Sequence, residues 1–355
     1  EPTRGTVFNT YNVHVHRKQE NRTILLGNPS ATLLFVRHHS GEHSMVNAKT
    51  GDILWTLDDE NDVGTPIGFT VINEIEWLVL VENGDKTKIA MVHSGKPDIF
   101  RRFSIPNSDD FSVKGRMSLS PNGSWVCATI SKDKEHGWIA ISLLNHRETV
   151  SIQSRFPLQG FAWSTDNQQV VCVQRRGMAY IYDFPDGTLV KKFDTDINNG
   201  EGDLRWPHHV AYDRQAQQLV LFNLLPKLRS RRPNDRISFK RIDTNTGETL
   251  RELRLAHSAT RVRLSGDGHA FMAYGPETEG KFYLVDTRTR PIPIICLNTR
   301  AQHISSAWFT DDLNQLFTSE SGVPRTSNKE DGWPGHECYY ELKVDEFLDL
   351  RKKSK

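Results

Sequence analysis

Apolar residues in this chain come in short runs broken by polar turns, and helical spacing is nearly absent before Val344 to Leu350. The clearest stretch reads Met117-Ser118-Leu119, then Ser120-Pro121-Asn122-Gly123, then Trp125 to Ile130. That is strand, tight turn, strand. Pro fixes one φ, Asn tolerates the left-handed region, and Gly supplies a free positive φ. The pattern returns as Ser164-Thr165-Asp166-Asn167 before Val170-Val171, and as Ser265-Gly266-Asp267-Gly268 before Phe271-Met272.

Aligning weaker copies on the first turn residue gives seven anchors: Asn28, Ile72, Ser120, Ser164, Asp213, Ser265 and Thr310. Their separations are 44, 48, 44, 49, 52 and 45 residues. Six places after each anchor stands a large apolar residue: Leu34, Leu78, Val126, Val170, Leu219, Phe271 and Leu316. A third strand ends near Asn47, Asp183, Asp243 or Asp286. Turns such as Ala48-Lys49-Thr50-Gly51, Phe184-Pro185-Asp186-Gly187 and Thr244-Asn245-Thr246-Gly247 then lead to a fourth strand, as at Ile53 to Leu57 and Thr249 to Leu253.

Four strands per unit, seven units and a period close to 40–45 residues indicate an all-β chain, a seven-bladed β-propeller. The seventh unit supplies three strands, His303 to Trp308, Gln315 to Ser319 and Glu337 to Lys343. The alternating run Tyr11 to Arg17 is expected to provide the missing fourth strand and so remove an open sheet edge. The expected organisation is an N-terminal segment over 1–22 with this closing strand, a propeller over 23–343, and a charged tail over 344–355.

The Ser-Pro-Asn-Gly type turns and the third-strand endings Tyr180-Ile181-Tyr182-Asp183 and Leu284-Val285-Asp286 resemble those of WD40-like propellers, over roughly residues 6–345. The resemblance implies a ring of blades whose loops receive protein partners. The repeats are degenerate: no Trp-Asp pair occurs, and Ala256-His257 and Gln302-His303 stand where the family often has Gly-His. The stretch Ala48-Lys49-Thr50-Gly51-Asp52-Ile53-Leu54-Trp55 is similar to one repeat of a quinone-cofactor propeller, in which the tryptophan docks neighbouring blades; Thr246-Gly247-Glu248-Thr249-Leu250 has no such Trp.

Composition agrees with thin, repeated cores. The hydrophobic fraction is 37%, below the usual ~45–50% even allowing for glycine. Forty-five basic against 44 acidic residues, net +1, give no global attraction to nucleic acid or anionic membrane. No run reaches the ~18 apolar residues of a membrane span, and no signal peptide is evident, although the chain begins at Glu1. The compartment is left open, with the cytoplasm favoured over secretion. Four cysteines are too few for a disulfide scaffold. Cys127 and Cys172 differ by one residue in strand register, so they are expected on opposite faces of their sheets as separate buried thiols. The Asn21 and Asn122 sequons matter only in a secreted chain, and Asn122 suits a turn without a glycan.

Chemistry-bearing motifs are sparse. The fourteen histidines include His14 and His16, then His38, His39 and His43, and then His208 and His209; none shows the spacing of a complete zinc site. There is no Gly-x-Ser-x-Gly elbow, Walker loop or dinucleotide glycine fingerprint. The expected catalytic, cofactor and metal sets are empty. The distinctive segment is the basic loop holding Lys227, Arg229, Arg231, Arg232 and Arg236, between the second and third strands of the fifth unit. Five cations within ten residues repel one another unless solvent or an anionic partner screens them. A second insertion, Ser319 to Gly335, carries Trp333, a residue type enriched at binding hot spots. Both loops join second to third strands and are expected on one face.

The expected function is a non-enzymatic scaffold whose loops dock protein partners, including one with an acidic surface. Two alternatives stand beside it. One is an enzyme or small-ligand sensor using the central channel. The other is a nucleic-acid-associated propeller using loop 227–236, the weaker because that loop lacks aromatic residues for base stacking.

Overall fold

The computed structural model describes the chain except residues 1–2, 5–6, 13–15, 21, 29, 31, 58–63, 83–86, 107–109, 133–134, 155–157, 165, 175–176, 196–206, 214–215, 225–236, 256–260, 265–269, 275–279, 287–293, 300–302, 311–312, 322–335 and 343–355. The chain is an all-β, seven-bladed β-propeller. Among the described residues there are seven small sheets; six contain four antiparallel strands consecutive in sequence, and the last joins three consecutive strands to one from the N-terminus. Blade 1 runs through Arg22–Gly27, Leu33–His38, His43–Asn47 and Ile53–Leu57. Blade 2 runs through Thr65–Ile72, Ile75–Val81, Lys88–His93 and Lys96–Ser104, blade 3 through Ser112–Leu119, Trp125–Lys132, Glu135–Ser142 and Thr149–Ser154, and blade 4 through Leu158–Trp163, Gln169–Gln174, Met178–Asp183 and Leu189–Asp194. Blade 5 runs through Pro207–Asp213, Gln218–Leu224, Ile237–Asp243 and Thr249–Leu255, blade 6 through Arg261–Leu264, Ala270–Tyr274, Lys281–Asp286 and Ile294–Asn298, and blade 7 through His303–Phe309, Gln315–Ser321 and His336–Glu341. No helix among the described residues is long and apolar enough to cross a membrane.

The seven apolar residues placed six positions after the anchors, Leu34, Leu78, Val126, Val170, Leu219, Phe271 and Leu316, are all fully buried at 0% exposure. They sit in the second strand, which has a neighbour on both edges.

The turns explain the spacing. At four anchors the side chain accepts the amide proton of the fifth residue on: Leu33 N–H to Asn28 Oδ1 (2.9 Å), Trp125 to Ser120 Oγ (3.0 Å), Gln169 to Ser164 Oγ (2.9 Å) and Gln315 to Thr310 Oγ1 (3.0 Å). Ser, Thr and Asn are favoured here because a short side chain reaches its own turn. Four residues after an anchor, the carbonyl receives an amide from just beyond the third strand. Ala48 donates to Thr32, Leu143 to Ser124, Phe184 to Gln168, Thr244 to Gln217 and Leu342 to Asn314. The third strands close as the sequence indicated. Asn47 Oδ1 accepts from Lys49 and Thr50, and Asp243 Oδ1 from Asn245 and Thr246, while Gly51, Gly187 and Gly247 hold φ of 79°, 71° and 77°.

Contact density divides the chain into two units. One comprises Glu1–Pro2, Asp62–Ser230 and Ile237–Leu253; the other comprises Thr3–Asn61, Arg231–Arg236 and Arg254–Lys355. In the first unit, blades 2 and 3 share a core that includes Trp77, Met91, Val126, Ala128 and Ile139. Blades 3 and 4 share Cys127, Trp138, Trp163, Val170 and Cys172, and blades 4 and 5 share Val171, Val173, Tyr212, Leu219 and Ile242. Alternate residues of one strand serve alternate interfaces, as a period of two requires. In the second unit, Met272, Leu284, Phe309 and Leu316 join blades 6 and 7, and Leu34, Val46, Trp308 and Phe317 join blades 7 and 1.

Polar bonds cross these same interfaces. Thr70 Oγ1 donates to Gly123 O (2.7 Å), Asn122 N to Asn167 Oδ1 (3.1 Å), Tyr212 Oη to Gln169 Oε1 (2.8 Å), Tyr274 Oη to Ala307 O (3.2 Å) and Ile24 N to Ser319 Oγ (2.7 Å).

The N-terminus corrects one expectation. The strand completing the last blade is Arg17–Glu20, antiparallel to His336–Glu341 with Arg17 opposite Tyr339, and not the run Tyr11 to Arg17. His16 N–H extends the pairing to Tyr339 O at 2.8 Å. Only Asn21 separates this strand from Arg22, where blade 1 begins, so the closing strand must end at residue 20. The alternation before it belongs in part to a different strand, Val7–Asn12, which pairs in parallel with Ile294–Asn298 as a fifth strand of blade 6. Alternation reports a half-buried strand, not its partner.

Candidate interaction surfaces

Lys227, Arg229, Arg231, Arg232, Arg236 and Trp333 lie outside the described residues, as does the expectation that their loops share a face. Their flanking strands are as expected: Gln218–Leu224 and Ile237–Asp243 bracket the basic loop, and Gln315–Ser321 and His336–Glu341 bracket the second.

Among the described residues, the exposed large apolar side chains each lie at the other end of their own blade. They are Ile53, Leu54, Val71, Leu144, Leu189, Val190 and Leu250. Each lies within two residues of a turn joining first to second strands or third to fourth strands. Ile53-Leu54 and Leu189-Val190 both open a fourth strand after a positive-φ glycine. In both, a register shift occurs: Met45 pairs with Trp55 and Val46 with Ile53, while Ile181 pairs with Lys191 and Tyr182 with Leu189. The bulged residues, Leu54 and Val190, are 50% and 51% exposed. A bulge re-aims side chains at a sheet edge, which is why these apolar groups escape the core.

A second repeated contact sits beside them. In blades 3, 4 and 5 the turn between third and fourth strands lies on the outer strand of the preceding blade. His146 stacks on Phe103 with ring centroids 4.1 Å apart. A side chain built at Gly187 would meet Ile152 Cδ1 at 3.3 Å, and one at Gly247 would meet Phe193 Cβ at 3.5 Å. Lys191 Nζ bonds Asn245 O across the same junction. Sequence reasoning missed these contacts and the exposed apolar residues. The signal present was an apolar pair just after Gly-Asp or Gly-Thr at a strand start, visible at 53–54 and 189–190.

The groups with chemical potential are quiet. Cys127, Cys172, Cys296 and Cys338 are buried and not in disulfides. Cys127 and Cys172 do occupy opposite faces of their sheets, and because the sheets are neighbours those faces meet in one core. Burial first, and for Cys127 also Cys172 beside it, pushes these two thiols well above the ordinary range. Cys338 is pushed up to about 12 by burial and by the Glu320 carboxylate, which also accepts from Tyr340 Oη (2.7 Å) and Thr318 Oγ1 (2.5 Å). Thiolate is the nucleophilic form, so these thiols are poor nucleophiles near neutrality.

His16, His38, His43, His93 and His146 serve bonding and stacking. His38 Nε2 lies 2.9 Å from Ser44 Oγ, which lies 2.9 Å from Thr56 Oγ1. Burial first, and then the Arg22 charge, hold His38 below its ordinary value against Glu42 and Glu337. His43 stacks on Phe35, and His16 lies 5.8 Å from the Tyr339 ring. His14 and the side chains of His208 and His209 lie outside the described set. Among the described residues no three His, Cys, Asp or Glu gather as a metal site. Trp55, the residue behind the quinone-propeller resemblance, packs on Phe35 of its own blade at 6.4 Å.

A cavity of about 310 Å³ adjoins blade 3, lined by Phe111, Ile130, Ile139 and Ile152 with Asp110 and His136 among its polar groups. It is open and of mixed character, without converging donors that would define a ligand.

No protein-family model matches the chain, and no curated protein matches it.

Proposed function

We propose that this chain is a non-enzymatic, WD40-like protein-interaction scaffold whose partners dock at the turn end of its blades. The observation that carries the reading is the placement of the exposed apolar residues Ile53, Leu54, Val71, Leu144, Leu189, Val190 and Leu250 beside first-to-second and third-to-fourth strand connections, which share one end of a blade. Single exposed apolar side chains are ordinary on a protein surface. Recurrence at one structural position, produced twice by the same bulge, is not explained by chance exposure and suits a docking surface built from rigid edges. The WD40-like assignment is supported by the Ser-Pro-Asn-Gly turn chemistry and by turn residues that bond from blade to blade. Fold class by itself does not choose a function.

The basic loop with Lys227, Arg229, Arg231, Arg232 and Arg236, and the loop bearing Trp333, are proposed as second contacts. Their chemistry suits an acidic protein surface, and the reading requires no cofactor. Opposite charges across such a contact steer association more than they add affinity.

The test compares proteins captured by the native chain, by a Leu189→Asp/Val190→Asp variant, and by an Arg229→Glu/Arg231→Glu/Arg232→Glu/Arg236→Glu variant, each checked for an unchanged melt. A partner retained by the native chain and lost from the apolar variant supports the reading. Identical partners on all three proteins defeat it.

A further inference from the structure

The fourth strand of blade 6 differs from the fourth strands of other blades. In blades 1 and 4 this outermost strand begins with half-exposed apolar residues, Ile53 at 49% and Leu189 at 47%. In blade 6 the corresponding strand, Ile294–Asn298, has Ile294, Ile295, Cys296 and Leu297 at 3% exposure or less. Both faces are buried. Ile295 and Leu297 join the core with blade 7, and Ile294 and Cys296 are covered on the opposite face. An outermost strand made wholly of apolar residues is an aggregation hazard unless something pairs with its edge.

Residues 7–12 pair with it. Val7 stands opposite Ile294, Asn9 opposite Ile295, Thr10 opposite Cys296, Tyr11 opposite Leu297 and Asn12 opposite Asn298. The pairing is parallel, whereas the four strands of the blade itself are antiparallel. A parallel strand cannot arrive through a hairpin. This one arrives from the far end of the chain, as a bound peptide would. On its C-terminal side it continues through residues 13–16 to Arg17–Glu20, which is anchored separately in blade 7. Parallel pairing is slightly weaker per residue than antiparallel pairing.

We infer that the edge of Ile294–Asn298 is a strand-docking groove filled in cis by residues 7–12, and that the same strand of a second copy of the chain can fill it in trans. The geometry is that of β-augmentation, in which main-chain bonds supply affinity and side-chain register supplies choice. The second copy is the occupant whose register the structure displays. The covalent link gives the resident strand a high effective concentration, of the order of millimolar for short tethers. Exchange is therefore suppressed until the tether is cut. The inference stands independently of the partner-docking reading above, which concerns the opposite ends of other blades.

The test places a protease site within residues 13–16, leaving Arg17–Glu20 and everything after it intact. A fluorescent peptide of residues 1–12 then serves as probe. The expected result is saturable binding of the peptide to the cleaved protein and at least tenfold weaker binding to the uncleaved protein. Peptides carrying Asn9→Pro or Thr10→Pro, which delete successive N–H groups, provide the register control, and at least one should fail to bind. The inference is overturned if the cleaved protein sheds residues 1–12 and takes up no probe with its melting temperature unchanged. Wholesale unfolding on cleavage overturns it equally, because the strand would then be part of the indivisible core and not a separable occupant.

Discussion

Thr70 donates its hydroxyl proton to the carbonyl oxygen of Gly123 at 2.7 Å, and a methyl group on Gly123 would lie 1.9 Å from that same hydroxyl oxygen. One contact therefore fixes a blade-to-blade bond and the identity of a turn residue. Gly123 also sits at φ 69°, where a side chain is strained regardless of space. Thr70→Ala should cost about 1–2 kcal/mol by stranding a buried carbonyl. Gly123→Ala should cost more, because about 1–2 kcal/mol of backbone strain adds to the clash. In the double variant Thr70→Ala/Gly123→Ala the 1.9 Å contact with the hydroxyl disappears, while the 2.8 Å approach to Cβ of residue 70 and the backbone strain remain. Its loss should be smaller than the two single losses combined, as read by denaturant melts; strict additivity would show that the two residues do not meet.

Acid should weaken the fold partly through His38. Its folded value lies below 6.5, so below that pH the unfolded chain takes up a proton that the folded chain resists. Stability is then lost as pH falls from 6.5 toward the lower folded value. His38→Gln keeps a hydrogen-bonding group beside Ser44 and should flatten the stability profile between about pH 5 and 7. An unaltered slope in that window would show that the imidazole is not the group responsible.

The thiols should be silent in the folded protein. All four cysteines are buried, and the three with raised values resist ionising. A maleimide at pH 7 should label none within the time needed to label all four in denaturant. Rapid labelling of native Cys127 or Cys172 would mean that the core between blades 3 and 4 opens readily.

Two truncations separate the roles of the N-terminal strands. Removing residues 1–16 leaves Arg17–Glu20 to complete the last blade, whereas removing 1–20 takes that strand away. The longer deletion should lower the melting temperature further, by a few degrees for each additional ~1–2 kcal/mol lost. Equal melting temperatures would mean that the closing strand contributes nothing.

Much of the fold was legible because the turn chemistry is local. Ser120 and Ser164 bond within their own turns, so their spacing survives in sequence, and the apolar residue six positions on is forced into the most enclosed strand. Thr310 kept the register too, although its turn places the buried Leu313 at φ 60° where blade 3 uses Gly123. The partner of residues 7–12 was not legible, because parallel pairing across nearly 290 positions leaves only an alternation that any half-buried strand would show. The surface at Leu54 and Val190 was hidden for a related reason. Exposure there depends on a one-residue bulge, and an apolar pair at a strand start reads as core until the register shift is seen. The basic loop was conspicuous because charge density is a property of sequence alone.

The most direct test of the scaffold account is amide hydrogen exchange on the chain with and without a captured partner. The account predicts slowed exchange at the fourth-strand starts around Leu54, Val190 and Leu250 when the partner is bound. Protection confined to the second-to-third strand connections, with none at those starts, would contradict it.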